Sequence, residues 1–286
     1  MPAIPVPSST VVLLRDDPSG LEVLLLVRRA KGSDPFSGAS VFPGGILEEE
    51  DEHPAFTPVE SGFEPRRASS ALGEAVPEQM LRALYVAACR ELYEEAGILI
   101  ARDGHGELAA DELLERFEDG RRRLHEGHRN LLELLERAEL TLALDSLVPF
   151  ARWITPEAQP KRWDTRFFLA SAPPRQTARS DELETTSAVW IHPRAALDAY
   201  LAGTILLAPP TFRVLEELAA LGDTAEAFAS AETKGPPQTI LPVPLVGSDV
   251  PTLLYPGDGE YPGATGTGRN RLILHEGRWQ SVRGGA

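Results

Sequence analysis

A single cysteine, Cys89, in 286 residues excludes an internal disulfide and leaves no pair of thiols at metal-binding spacing. No apolar run reaches the length of a membrane-spanning helix, and Met1 to Pro5 carry neither a basic leader nor an apolar stretch. Together these absences predict a chain with no membrane segment, working in a reducing, cytoplasmic setting. Positive charge is also scarce: 28 Lys and Arg face 43 Asp and Glu, for a net charge of -15. Nonspecific attraction to a nucleic-acid backbone is therefore not expected. The same charge repels anionic small molecules at long range, so an enzyme acting on them needs local cations from arginine or metal. Histidines 53, 105, 125, 128, 192 and 275 are scattered without ligand spacing. What the chain does have is 42% hydrophobic residues, enough to fill a core.

Ser9 to Leu14 and Leu21 to Val27 are aliphatic, β-branched runs either side of Asp16-Asp17-Pro18-Ser19-Gly20, which predicts a β-hairpin ending in Arg28-Arg29. A short strand follows at Ser40-Val41-Phe42 and stops at Pro43-Gly44-Gly45. From Glu48 to about Glu78 acid, proline and small residues show no sustained period, which reads as a long loop or partly ordered insertion. Tyr85, Ala88, Leu92 and Ala96 recur at helical spacing, so a helix is predicted from Pro77 to Ala96 with Gly97 as its stop.

Asp111 to Leu140 predicts one or two charged amphipathic helices, broken near Gly120 or Gly127, with a solvated face. Strands are expected at Ala151 to Ile154, Thr165 to Ala170 and Ala188 to Ile191. Helices are expected at Pro193 to Leu201 and Thr211 to Leu221, the second entered through Pro209-Pro210. A terminal hairpin pairs Arg271 to Leu274 with Trp279 to Val282 around Glu276-Gly277. The order of elements predicts an α+β fold with a sandwiched mixed sheet and appendages.

The chemistry is concentrated in Arg90-Glu91-Leu92-Tyr93-Glu94-Glu95-Ala96-Gly97-Ile98. On a helix the three glutamates fall within roughly 100° of arc, opposite the apolar face. Like charges so placed cost about 0.2–0.5 kcal/mol per pair, and a cluster of carboxylate oxygens selects hard divalent ions such as Mg2+. A solvated acidic face is the ordinary reading of Glu-x-x-Glu-Glu alone.

The full segment, with Phe42-Pro43-Gly44-Gly45 upstream, resembles the Nudix box: Gly45, Arg90, Glu91, Leu92, Glu94, Glu95, Gly97 and Ile98 all fall in its pattern. Two departures stand out. Asp51 occupies the position of a family Glu, and Arg90 lies 39 residues beyond it where an uninterrupted box has eight. The excess falls in 52–82. An interruption there is similar to a branch of the family that includes a peroxisomal coenzyme A diphosphatase. Arg162 to Leu169, Leu206 to Leu215 and the helical excursion after Gly104 also look like that branch.

The resemblance implies a Nudix-type α/β/α sandwich over residues 1–221, with insertions at 52–82 and 105–142, and a β-rich extension over 222–286. It implies a diphosphatase using Mg2+ or Mn2+ held by Glu91, Glu94, Glu95 and the Gly45 carbonyl. In that reading Arg90 directs the carboxylates as a bidentate fork, which lysine could not replace. The proton acceptor would be Glu94 or a loop glutamate, with Glu184 the candidate and Glu182 behind it.

Arg28, Arg29, Arg162 and Arg166 are candidates for substrate phosphates, and Arg28 and Arg29 read equally well as solvent-exposed. Phe42 is a candidate for stacking on substrate, although it, Phe167 and Phe168 more often belong to a core. Coenzyme A or acyl-coenzyme A is the expected small-molecule diphosphate substrate. ADP-ribose, a dinucleotide or a nucleotide sugar is the alternative, and a noncatalytic ligand-binding module is the rival from another class. The family allows a homodimer, but no feature here places its interface.

Overall fold

The computed structural model describes residues 2–30, 37–117, 121 and 131–284. Ser9 to Leu14 is apolar at odd and even positions because strand β1 (Val6–Asp17) is covered on both faces. Val11 and Leu13 enter one core, Val12 and Leu14 another. Strand β2 (Gly20–Arg28) divides the same way, with Leu24 and Leu26 against Val23 and Leu25. The two strands form the expected hairpin, with Leu14 opposite Val23 and Asp17 opposite Gly20.

β3 (Ala39–Val41) and β4 (Gly44–Ile46) follow, and β4 lies antiparallel along the first half of β1, with Gly45 opposite Ser9. The segment after Glu48 is not the loop that its composition predicts. It folds into 3-10 turns at Glu49–Glu52 and Pro54–Val59, strand β5 (Glu60–Ser61) and helix α1 (Pro65–Leu72). These pieces are too short to show a period, but Phe56, Ala68 and Leu72 anchor them in the first core. Helix α2 (Glu78–Ala96) begins within two residues of the expected Pro77 and ends at Gly97, whose φ of 71° suits a glycine stop.

Beyond α2, β6 (Ala101–Arg102) and β7 (Thr141–Ala143) join β5 in a three-stranded sheet. The helical excursion appears as α3 (Asp111–Leu114) and α4 (Leu131–Ala138). The expected breaks at Gly120 and Gly127 lie outside the described residues. β8 (Val148–Ile154) and β9 (Trp163–Ser171) complete the centre of the sheet, β9 running parallel to β1 and antiparallel to β8. β10 (Thr185–Ile191) pairs with β2.

Helices α5 (Pro193–Ala202) and α6 (Pro209–Leu218) fall where the sequence places them, and a short strand that it does not show, β11 (Leu206–Leu207), lies between them. Helix α7 (Thr224–Lys234) was not anticipated. Its small residues give little amphipathic contrast, and its sequence signal is Asp223, whose side chain accepts the Glu226 N–H at 2.8 Å as an N-cap.

The chain closes with β12 (Thr239–Ile240), β13 (Val243–Pro244), β14 (Thr252–Leu254), β15 (Arg269–His275) and β16 (Arg278–Gly284). β15 and β16 form the expected hairpin, and β13 to β16 make a four-stranded antiparallel sheet. This tail is tied to the rest: β12 pairs with β8, and Tyr255 and Leu272 lie in the second core beside Val12.

The result is a nine-stranded mixed sheet between two layers. α2 and the segment from Phe56 to Leu72 cover one face; α5, α6 and α7 cover the other. Among the described residues no helix is long and apolar enough to cross a membrane.

Candidate active site

The acidic end of α2 is not a solvated face. Arg90 is 4% exposed, and Glu91 and Glu94 are each 9% exposed, because β4 and the turn at Glu49–Glu52 close over them. Gly44 donates its backbone N–H to the Glu95 carboxylate at 2.9 Å. At Gly45 an added Cβ would overlap the Glu91 carboxylate, so only glycine lets β4 approach the helix this closely.

Arg90 organises the carboxylates. Its Nε and Nη2 donate to the two oxygens of Asp51 at 2.8 and 2.9 Å, and Nη2 also donates to the Ile46 carbonyl at 2.9 Å. Its Nη1 donates to Glu91 at 2.9 Å and Glu94 at 3.1 Å. A planar guanidinium can serve all these acceptors at once. Burial works against its charge, but Asp51, Glu91 and Glu94 more than compensate and raise its pKa.

The glutamates are poised differently from surface carboxylates. Burial pushes Glu91 and Glu94 up to about 7, even though Arg90 favours their charged forms. Glu95 is raised well above the ordinary range by burial and then by the charge of Glu91, partly offset by the Gly44 N–H. Among the described residues no three acidic, histidine or cysteine side chains converge as they stand on one metal position. Glu91 and Glu94 are turned to Arg90, and Glu95 to Gly44. The donor chemistry nevertheless fits a hard divalent cation, with buried, electrostatically crowded carboxylate oxygens and the Gly45 cradle beside them.

Glu184 lies on the loop before β10. The same loop is bonded to the end of α2, where the Arg179 N–H donates to the Ala96 carbonyl at 2.8 Å, and the charges of Glu184 and Asp181 both add to the upward push on Glu95. Arg29 faces the same loop, with Nε donating to the Leu183 carbonyl at 3.1 Å and Nη2 to the Glu182 carbonyl. Arg28 ends β2 opposite Thr185 and is half-buried.

Three candidates stand elsewhere. Phe42 is 4% exposed and packs edge-to-face on Phe167 with centroids 6.5 Å apart, so it is a core residue with no face for a substrate ring. Arg162 donates to the carbonyls of Thr155 at 2.9 Å and Ala3 at 2.7 Å, tying the segment before β1 to the turn between β8 and β9. Arg166 is 2% exposed and grips Glu74 through Nε at 3.0 Å and Nη2 at 2.5 Å. With Arg152 and Asp164 it forms a closed ionic network. The three side chains share one feature: each is buried and already engaged within the fold.

Three contributors were not visible as such. Asp51 appeared as a departure from a pattern, yet it is the main partner of Arg90. Arg121 donates Nε to the carbonyls of Tyr93 and Glu94 at 2.9 and 3.1 Å and caps α2. Asp181 accepts backbone N–H groups of Leu183, Glu184 and Thr185. A turn-forming Ser-Asp pair was its only sequence signal.

Residues 9–218 match the model of the NUDT19 Nudix domain. The chain belongs to this Nudix family. The acyl-coenzyme A diphosphatase NUDT19 of Gallus gallus is 30% identical over 277 residues, covering 84% of this chain and 72% of that protein. The Homo sapiens protein of the same name is 28% identical, covering 83% and 72%. A solved Nudix hydrolase from Alicyclobacillus acidocaldarius superposes with a TM-score of 0.60 at 27% identity, covering 79% of this chain and 96% of that one. The α+β sandwich is therefore the Nudix fold, and the chain is a Nudix pyrophosphohydrolase, of a family that generally uses divalent metals.

Proposed function

We propose that this Nudix hydrolase cleaves the diphosphate of coenzyme A or acyl-coenzyme A, with Mg2+ or Mn2+ held by Glu91, Glu94, Glu95 and the Gly45 carbonyl. The observation that carries the site is the buried Arg90, which fixes Asp51, Glu91 and Glu94 around one guanidinium beside Gly45. The substrate class rests on the relatives, whose name is acyl-coenzyme A diphosphatase.

A divalent cation held by these residues would supply activation of the attacking water and neutralisation of charge on the leaving oxygen. The chain's own residues do the rest. Arg90 holds the Glu91 and Glu94 carboxylates together at its Nη1. Glu184 takes the proton from the attacking water as it bonds to phosphorus and the bridging P–O bond breaks, giving a phosphopantetheine and an adenosine bisphosphate. Of the four arginines assigned to phosphate, Arg28 retains that role here. No covalent intermediate is needed.

The test is turnover of coenzyme A, acetyl-coenzyme A, ADP-ribose, NADH and a nucleotide sugar with Mg2+ or Mn2+, beside Glu94→Gln. Preference for the coenzyme A compounds, lost in the variant, is the expected result. Preference for another substrate removes the substrate claim. No turnover of any removes the catalytic one.

A further inference from the structure

The loop that carries Glu184 is fastened to the helix that carries Glu91, Glu94 and Glu95. Arg179 donates its N–H to the Ala96 carbonyl at 2.8 Å, and Arg121, which caps α2, donates Nη2 to the Arg179 carbonyl at 2.7 Å. Asp181 closes the loop from within, accepting the N–H groups of Leu183, Glu184 and Thr185 and the Thr185 hydroxyl. Between these anchors Glu182 has a φ of 59°, a left-handed conformation that a side chain disfavours. A contact from outside the loop can hold such a conformation in place.

Arg29 does so. Its backbone N–H donates to the Glu184 carbonyl at 2.7 Å, and its Nε and Nη2 take the carbonyls of Leu183 and Glu182. Three successive carbonyls of the loop are thus held by one residue at the end of β2. The N–H side belongs to Asp181 and the C=O side to Arg29, so the loop is clamped from both sides.

We infer that Arg29 is a positioning residue for the hydrolysis: its guanidinium fork fixes Glu182 and Leu183 so that the Glu184 carboxylate is presented beside Glu95. This rests on Glu184 as proton acceptor, and it replaces the reading of Arg29 as a phosphate ligand. A fork is required because a lysine ammonium cannot span two carbonyls in the same plane.

The experiment measures kcat and KM of the full chain with Mg2+, on the diphosphate it turns over best, for Arg29→Ala, Arg29→Lys, Glu184→Gln and the Arg29→Ala/Glu184→Gln double variant. Glu184→Gln should lower kcat by about 10²–10⁴. Arg29→Ala should lower kcat by about tenfold to a hundredfold with KM within about twofold, as misplacement of a reacting group does. Arg29→Lys should not rescue it, and the double variant should be no slower than Glu184→Gln.

Three results overturn the proposal: a raised KM with kcat kept, restoration by lysine as for a point charge facing phosphate, or the same loss from Arg29→Ala in both backgrounds. A wild-type kcat in Glu184→Gln removes the acceptor assignment itself and the proposal with it, and that arm alone identifies the failure.

Discussion

The carboxylate of Asp51 and the guanidinium of Arg90 meet in a bidentate pair at 2.8 and 2.9 Å across 39 residues of chain. The Glu48 N–H holds the second Asp51 oxygen at 2.9 Å from within the adjoining 3-10 turn. Aspartate, one methylene shorter than the family's glutamate, reaches Arg90 because that turn brings its backbone close. Asp51→Ala leaves a buried cation without its main partner, which costs about 3–5 kcal/mol. Urea denaturation should show that loss together with reduced turnover. An Asp51→Ala protein as stable as the parent would remove Asp51 from the site.

Gly45 tests the same packing from the strand side. An alanine there pushes its methyl into the Glu91 carboxylate. Because the clash is with the far end of a side chain, the stability cost should stay within about 1–3 kcal/mol, while divalent-metal affinity measured by calorimetry falls at least tenfold. Unchanged metal affinity would mean that Glu91 is not a ligand.

The parts legible in the sequence were those with a local code. The β1–β2 hairpin, α2 with its glycine stop, α5, α6 and the terminal hairpin all announce themselves through period and turn residues. The carboxylate cluster was legible through spacing on α2. The fold of residues 48–78 was not, because its elements are two to eight residues long and depend on distant core contacts such as those of Phe56. Nor was the use of each arginine. Arg166 and Arg29 look alike in a sequence, and only the positions of Glu74 and of the Glu182 and Leu183 carbonyls separate a sheet clasp from a loop clamp.

Glu74 therefore makes a separate prediction. It lies in the segment that composition read as loop, yet it is 8% exposed and pairs with both Arg166 and Arg152. Glu74→Ala strands two guanidinium groups with Asp164 alone and should cost about 3–5 kcal/mol. The folded fraction should keep kcat and KM within about twofold. A selective rise in KM would return Arg166 to the substrate.

The raised carboxylates set the sign of a pH effect. Glu91 and Glu94 titrate near 7 in the folded chain and at their ordinary 4.5 when unfolded. Between those values the folded state holds protons that the unfolded state has lost, so this part of the stability falls as pH rises and is fully lost above about 7. In the proposed site a bound divalent cation would take the place of those protons. The chelated protein should lose thermal stability from pH 5 to 8, and Mg2+ or Mn2+ should restore more at pH 8 than at pH 5, with protons released on binding near pH 6. Other groups add their own slopes, so the measured quantity is the difference between the parent and Glu94→Gln, in which both the pH slope and the metal increment should shrink. Each pKa unit is worth about 1.4 kcal/mol, large enough to resolve by calorimetry. A metal increment that is equal at both pH values would separate these carboxylates from metal binding.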